Sequence, residues 1–155
     1  LEHHQPSSLS PDMYQKIYAI TNRALDALGV TNGASHSEYK ITDDGRIAIM
    51  EIGARMGGDF IGSDLVQLST GYDFVRGVIE VALGEFNEPV LSDKCHSGVY
   101  FLSAETALVA AYIKDSKRYP EIVQADRTDT ELHHVTCSAE RSGYFIYQAK
   151  KKFEL

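Results

Sequence analysis

The chain has 155 residues, of which 43% are hydrophobic and 24% charged, with 22 acidic against 15 basic side chains. That apolar share excludes a disordered chain, the net charge of −7 argues against a general nucleic-acid binder, and no apolar run reaches the ~18 residues of a membrane span. Two cysteines, Cys95 and Cys137, are too few for a disulfide scaffold, and with no signal-peptide pattern they point to a reducing, cytoplasmic setting. The chain opens on Leu1 rather than Met, which suggests a piece of something longer.

The first periodic segment starts at Ser10, a good N-cap, followed by Pro11 at the first helical position. Met13, Ile17, Ile20, Ala24 and Leu28 recur at spacings of three and four, and Gly29 closes an amphipathic helix. Two strand-like runs follow, Ala34 to Ile41 and Arg46 to Ile52, around Asp43-Asp44-Gly45, and an Asp-Gly pair in that position predicts a hairpin. Residues 53–62 are glycine-rich and irregular. A short helix is expected from Asp64 to Leu68, stopped near Gly71. A firmer one follows, with a stripe of Phe74, Val75, Val78, Ile79, Ala82 and Leu83 and a stop at Gly84.

Residues 85–93 have linker composition, dividing the chain into parts 1–91 and 92–155. Beyond them the texture is that of a small β-rich unit. Strands are expected at Val99–Leu102, Leu108–Ile113, Ile122–Gln124, Leu132–Thr136 and Gly143–Gln148, and Lys150-Lys151-Lys152 reads as a solvated tail.

The hairpin carries the chemistry. A two-residue turn at Asp44-Gly45 sets Asp43 opposite Arg46, and the same register sets Glu38 opposite Glu51, with Cβ atoms roughly 4.5–5.5 Å apart on one face. Two like charges so placed call for a shared proton or a bound cation, and magnesium is commonly held by one or two carboxylates together with substrate phosphates. A three-residue turn would instead send the two glutamates to opposite faces, as ordinary surface residues. Zinc spacings are missing, since His3-His4 and His133-His134 are adjacent pairs, and there is no Gly-x-Ser-x-Gly nucleophile elbow.

The stretch GASHSEYKITDDGRIAIMEIGARMGGDFIGSDLVQLSTGYD, from Gly33 to Asp73, resembles the C-terminal lobe of the ATP-grasp superfamily. The likeness is to carboxylate–amine ligases of the L-amino-acid-ligase or phosphoribosylglycinamide-synthetase kind. It implies an α+β fold: the C-terminal lobe of an ATP-grasp domain, an antiparallel sheet with helices, then a small β-rich subdomain. It also implies that Glu38 in SEYK and Glu51 in EIGARMGG hold the Mg²⁺ (or Mn²⁺) of ATP, that Arg55 meets phosphate and the reacting carboxylate, and that Gly57-Gly58 form a turn close to substrate. Gly53 departs from the family pattern, in which an asparagine follows the second glutamate by two. EHHQPSS, at the start, resembles the place where related ligases bring a substrate-contacting histidine, matching His3 with His4 as the alternative, and CSAERSGYFIYQAK resembles the end of their C-terminal subdomain.

The activity so implied is ATP- and magnesium-dependent joining of a carboxylate to an amine through an acyl phosphate. Its partners are small-molecule carboxylate and amine substrates and the other lobe of the same protein, with neither nucleic acid nor membrane. This chain would supply the metal and phosphate half of the site and be inactive alone. A purine-biosynthesis carboligase shares the same residues, and a non-catalytic ATP-grasp-derived module binding nucleotide or a partner is the alternative from another class.

Overall fold

A computed structural model describes residues 2–92 and 95–155; the far end of the expected linker, Asp93, lies outside them. Four strands form one antiparallel sheet in the order β1 (Glu2–Gln5), β4 (His96–Leu102), β6 (Gly143–Ala149) and β5 (Ile122–Asp126). A second, two-stranded antiparallel sheet pairs β2 (His36–Ile41) with β3 (Ile47–Gly53). Among the described residues four α-helices accompany them: α1 (Pro11–Ala27), α2 (Val66–Thr70), α3 (Phe74–Leu83) and α4 (Val109–Lys114). The fold is therefore α+β. Among the described residues no helix is long and apolar enough to cross a membrane.

The core lies on both sides of β4 and β6, which is why Val99-Tyr100-Phe101-Leu102 reads as an unbroken apolar run rather than an alternation. On one face Tyr100, Leu102, Phe145 and Tyr147 pack with Val109 of α4. On the other, Val99, Phe101 and Ile146 pack with Leu65, and Phe60 and Ile61 close over them. That second face carries the segment between the two sheets, so it fixes the floor of the site described below.

Local signals account for most of the elements. Ser10 caps α1, its Oγ accepting from the Met13 amide at 3.3 Å. Asp73 caps α3 by accepting from the Arg76 amide at 2.9 Å, and Gly84 ends that helix at φ 73°. The expected short helix begins earlier, as a π-helical turn at Ile61–Leu65 that runs into α2 and stops at Gly71.

Three expectations are corrected. The run expected as a strand at 108–113 falls in α4 (Val109–Lys114) with Leu108 as its N-cap: Val109, Tyr112 and Ile113 fall at i, i+3 and i+4, and that face is what meets the sheet. Residues 132–136 form no strand; they reach the loop after β4 through the Ala104 amide, which donates to the His133 carbonyl at 2.9 Å, and through His134 Nδ1, 2.6 Å from Glu105 Oε1. Residues 2–5, with no strand expected, form β1 and pair with β4.

The candidate metal and phosphate site

The hairpin reaches the expected pairing by an unexpected path. Its turn has three residues, Asp43-Asp44-Gly45: the Thr42 amide donates to the Arg46 carbonyl at 3.0 Å, the Gly45 amide to the Thr42 carbonyl at 2.8 Å, and Gly45 takes φ 78°. This is one residue longer than the two-residue turn expected, and Ile41 consequently pairs with Ile47 and Tyr39 with Ile49. A β-bulge then leaves Met50 without a partner, and Glu38 pairs with Glu51 after all. Directly opposed residues point to the same side of the sheet.

The charge conflict foreseen between them is eased by two neighbours, the Arg55 guanidinium and the His36 ring. Arg55 Nη2 lies 3.4 Å from Glu51 Oε1, and His36 Nε2 lies 3.2 Å from Glu38 Oε1. Both carboxylates are more than half exposed, so they are open to an additional ligand. The donor set suits a hard cation: carboxylate oxygens only, with neither sulfur nor a closed cage. Among the described residues no group of three or more His, Cys, Asp or Glu side chains is placed to hold a metal, so any ion here would keep waters or phosphate oxygens as its other ligands.

A cleft of about 510 Å³ brings together four of the residues named from sequence: His3, Glu38, Arg55 and Gly58. Glu51 adjoins it through Arg55. Of the two histidine candidates, β1 turns His3 toward the cleft, where its ring meets Phe101 edge-on at 5.9 Å. His4 points to the other face of the sheet, its Nδ1 2.9 Å from the Tyr147 hydroxyl. The Gly57-Gly58 turn divides its work. A Cβ on Gly57 would stand 2.9 Å from His36 Nδ1, whereas a Cβ on Gly58 would meet nothing within 4 Å. The first glycine lets the turn pack against the hairpin; the second leaves room in the cleft.

Sequence reasoning missed His36, Tyr39, Asp59, Ile61 and Ser138 on the cleft wall. Asp59 and Phe60 are consecutive non-glycine residues in the left-handed region, at φ 51° and 65°, a conformation costing about 1–2 kcal/mol per residue. Tertiary contacts hold them there. Asp59 Oδ2 accepts from Arg141 Nη1 at 2.9 Å and sits 3.2 Å from His3 Nε2, and the Phe60 ring lies 4.4 Å from that of Tyr144. Burial opposes the charge on Asp59, but the hydrogen bonds from Arg141 and His3 outweigh it and hold the carboxyl below its ordinary value.

With this geometry in view, comparisons place the fold. No protein-family model matches the chain. A solved L-amino acid ligase from Bacillus licheniformis superposes with a TM-score of 0.77 at 20% identity, covering 97% of this chain and 41% of that one. This chain has the fold of the ATP-grasp C-terminal lobe. A biotin carboxylase domain of the Hydrogenobacter thermophilus 2-oxoglutarate carboxylase, solved with MgADP, ADP and bicarbonate, matches the lobe with a TM-score of 0.59 at 17% identity, over 97% of this chain and 35% of that one. In sequence, the lobe is 31% identical over 80 residues to the uncharacterized protein y4rH of Sinorhizobium fredii, spanning 52% of this chain and 16% of that protein. The chain thus spans 41%, 35% and 16% of the lengths of these three proteins.

Proposed function

We infer that this ATP-grasp lobe supplies the metal- and phosphate-binding half of the active site of an ATP- and magnesium-dependent ligase, one that joins a carboxylate to an amine through an acyl phosphate. The observation that carries the reading is the opposition of Glu38 and Glu51 on one face of the hairpin, with Arg55 between Glu51 and the cleft. Magnesium bound there would offset charge on the phosphates and the transferring phosphoryl group. Glu38 and Glu51 act as ligands and not as acids or bases. Arg55, freed from Glu51 when that carboxylate turns to a cation, presents a planar two-pronged donor to phosphate or the acyl oxygen. His3 and the open backbone at Gly58 contact substrate. In this reading residues 1–91 form the ATP-grasp part and 92–155 the small subdomain, with β1 crossing to the latter's sheet.

The test is paramagnetic broadening of assigned backbone NMR signals when Mn²⁺ and ADP are added to this chain. Loss confined to the surroundings of Glu38, Glu51 and Arg55, and abolished in Glu51→Gln, is the expected result. Broadening spread over the acidic surface, or none, would count against a preformed half-site. ATP-dependent acyl-phosphate formation by the longer polypeptides that carry this lobe separates a ligase from a non-catalytic nucleotide-binding module, which would show the broadening without turnover.

A further inference from the structure

Asp59 and Arg141 form a connection between the cleft and the sheet that the metal half-site does not use. Arg141 comes from the loop before β6, and its guanidinium carbon stands 3.7 Å over the Phe101 ring. Only 16% of its side chain is exposed. It donates Nη1–H to Asp59 Oδ2 at 2.9 Å, and the same oxygen lies 3.2 Å from Nε2 of His3. A carboxylate paired with arginine has no proton to give, so the hydrogen between Asp59 and His3 resides on the histidine. Nε2 is then the donor, and whenever the ring carries a single proton Nδ1 is left as an acceptor. Phe101 lies against both His3 and Arg141, which leaves the two little freedom to exchange partners.

We propose that Arg141 is a positioning residue that acts through Asp59 to fix the orientation and tautomer of His3, presenting Nδ1 as a hydrogen-bond acceptor for an N–H of the amine substrate. This rests on the reading of the cleft given above, and it adds to that reading a donor-bearing nitrogen as the group His3 recognises. The backbone supports the assignment: two consecutive left-handed residues, Asp59 and Phe60, put the carboxylate within reach of both partners.

Imidazole-resolved ¹⁵N NMR of the full chain tests this. The wild-type chain should show a His3 Nε2–H resonance protected from exchange with water. In Arg141→Gln that resonance should be lost while the remaining backbone spectrum is retained. Asp59→Asn, whose amide can donate as well as accept, should broaden it. A His3 resonance unchanged in Arg141→Gln, or missing from the wild type, overturns the proposal. Should Arg141→Gln fail to fold, Arg141→Lys decides: it keeps the charge and loses the planar group on Phe101, so the resonance should weaken, and unchanged intensity overturns the proposal. Mn²⁺ broadening around Glu38 reads the metal half-site separately and should persist in every folded Arg141 variant. Its loss in wild type would refute the metal reading without bearing on His3.

Discussion

Glu38 and Glu51 face each other across the hairpin because two irregularities offset one another. The three-residue turn moves β3 by one residue relative to a tight two-residue hairpin, and the bulge at Met50 moves it back. A slip of one residue exchanges the faces of a strand, so without the bulge Glu51 would point away from Glu38. Met50 is largely exposed, which fits a residue whose role is in spacing.

Glu38→Gln and Glu51→Gln should leave the chain folded, since exposed ion pairs of this kind contribute about 0–1 kcal/mol and both glutamates are more than half exposed. Each should nevertheless abolish local Mn²⁺ broadening in the presence of ADP. Thermal unfolding and NMR on the same samples separate the two effects.

The glycine pair should behave asymmetrically. Gly57→Ala places a methyl 2.9 Å from His36 Nδ1 and 3.2 Å from Ile61, and overpacking of that kind costs about 1–3 kcal/mol. Gly58→Ala meets nothing within 4 Å and should preserve stability while narrowing the cleft. Urea midpoints should therefore fall for Gly57→Ala alone, and a loss of ADP affinity at unchanged stability should mark Gly58→Ala.

Gly53 has room for a side chain, because a Cβ there would make only ordinary contacts, 3.5 Å from Arg55 Cγ and 3.6 Å from the His36 carbonyl oxygen. Gly53→Asn should fold normally and, by adding an oxygen ligand beside Glu51, should lower the Mn²⁺ concentration that half-broadens the site. Unchanged metal affinity would show that the missing asparagine has no bearing on the metal.

Acid should destabilise the chain in two separate windows. Burial, then the nearby charge of Lys152, lowers the pKa of His4 from 6.5 in the folded state. Stability from His4 is therefore complete above pH 6.5 and declines as pH falls below it, because only the unfolded chain takes up the proton readily. Asp59, held below 3.8 against the pull of burial by Arg141 and His3, contributes stability above that pH and loses it as pH falls through its folded value. Urea midpoints followed against pH should show both declines, with His4→Gln removing the first and Asp59→Asn reducing the second, to which Asp44, Glu105, Asp129 and Glu140, also held below their ordinary values, contribute as well.

How far the sequence disclosed this structure depends on how local each signal is. Caps at Ser10 and Asp73 and stops at Gly71 and Gly84 act within one turn of helix, and those elements lie close to where pattern places them. Residues 2–5 carry no such signal, because β1 is a strand only by virtue of pairing with β4, more than ninety residues away. Residues 108–113 are apolar nearly throughout, which hides helical spacing from strand spacing until the sheet they cover is known. The cleft divides in the same way. Glu38, Glu51, Arg55 and Gly58 lie within one short stretch and were readable together, whereas Asp59 gained its partners His3 and Arg141 from opposite ends of the chain.

The pairing of β1 with β4 has a mechanical consequence. Residues 6–95 leave the large sheet and return to it, so the hairpin, the glycine turn and three helices hang as a bight whose neck is clasped by four residue pairs, Glu2–Tyr100 to Gln5–Ser97. A force that swings the hairpin is resisted at that clasp, and His3 is one of its rungs. The same segment is fastened to the sheet again where Arg141 donates to Asp59, Ser97 Oγ to the Leu65 carbonyl and Gln148 Nε2 to the Leu68 carbonyl, so the hairpin half and His3 share one set of anchors.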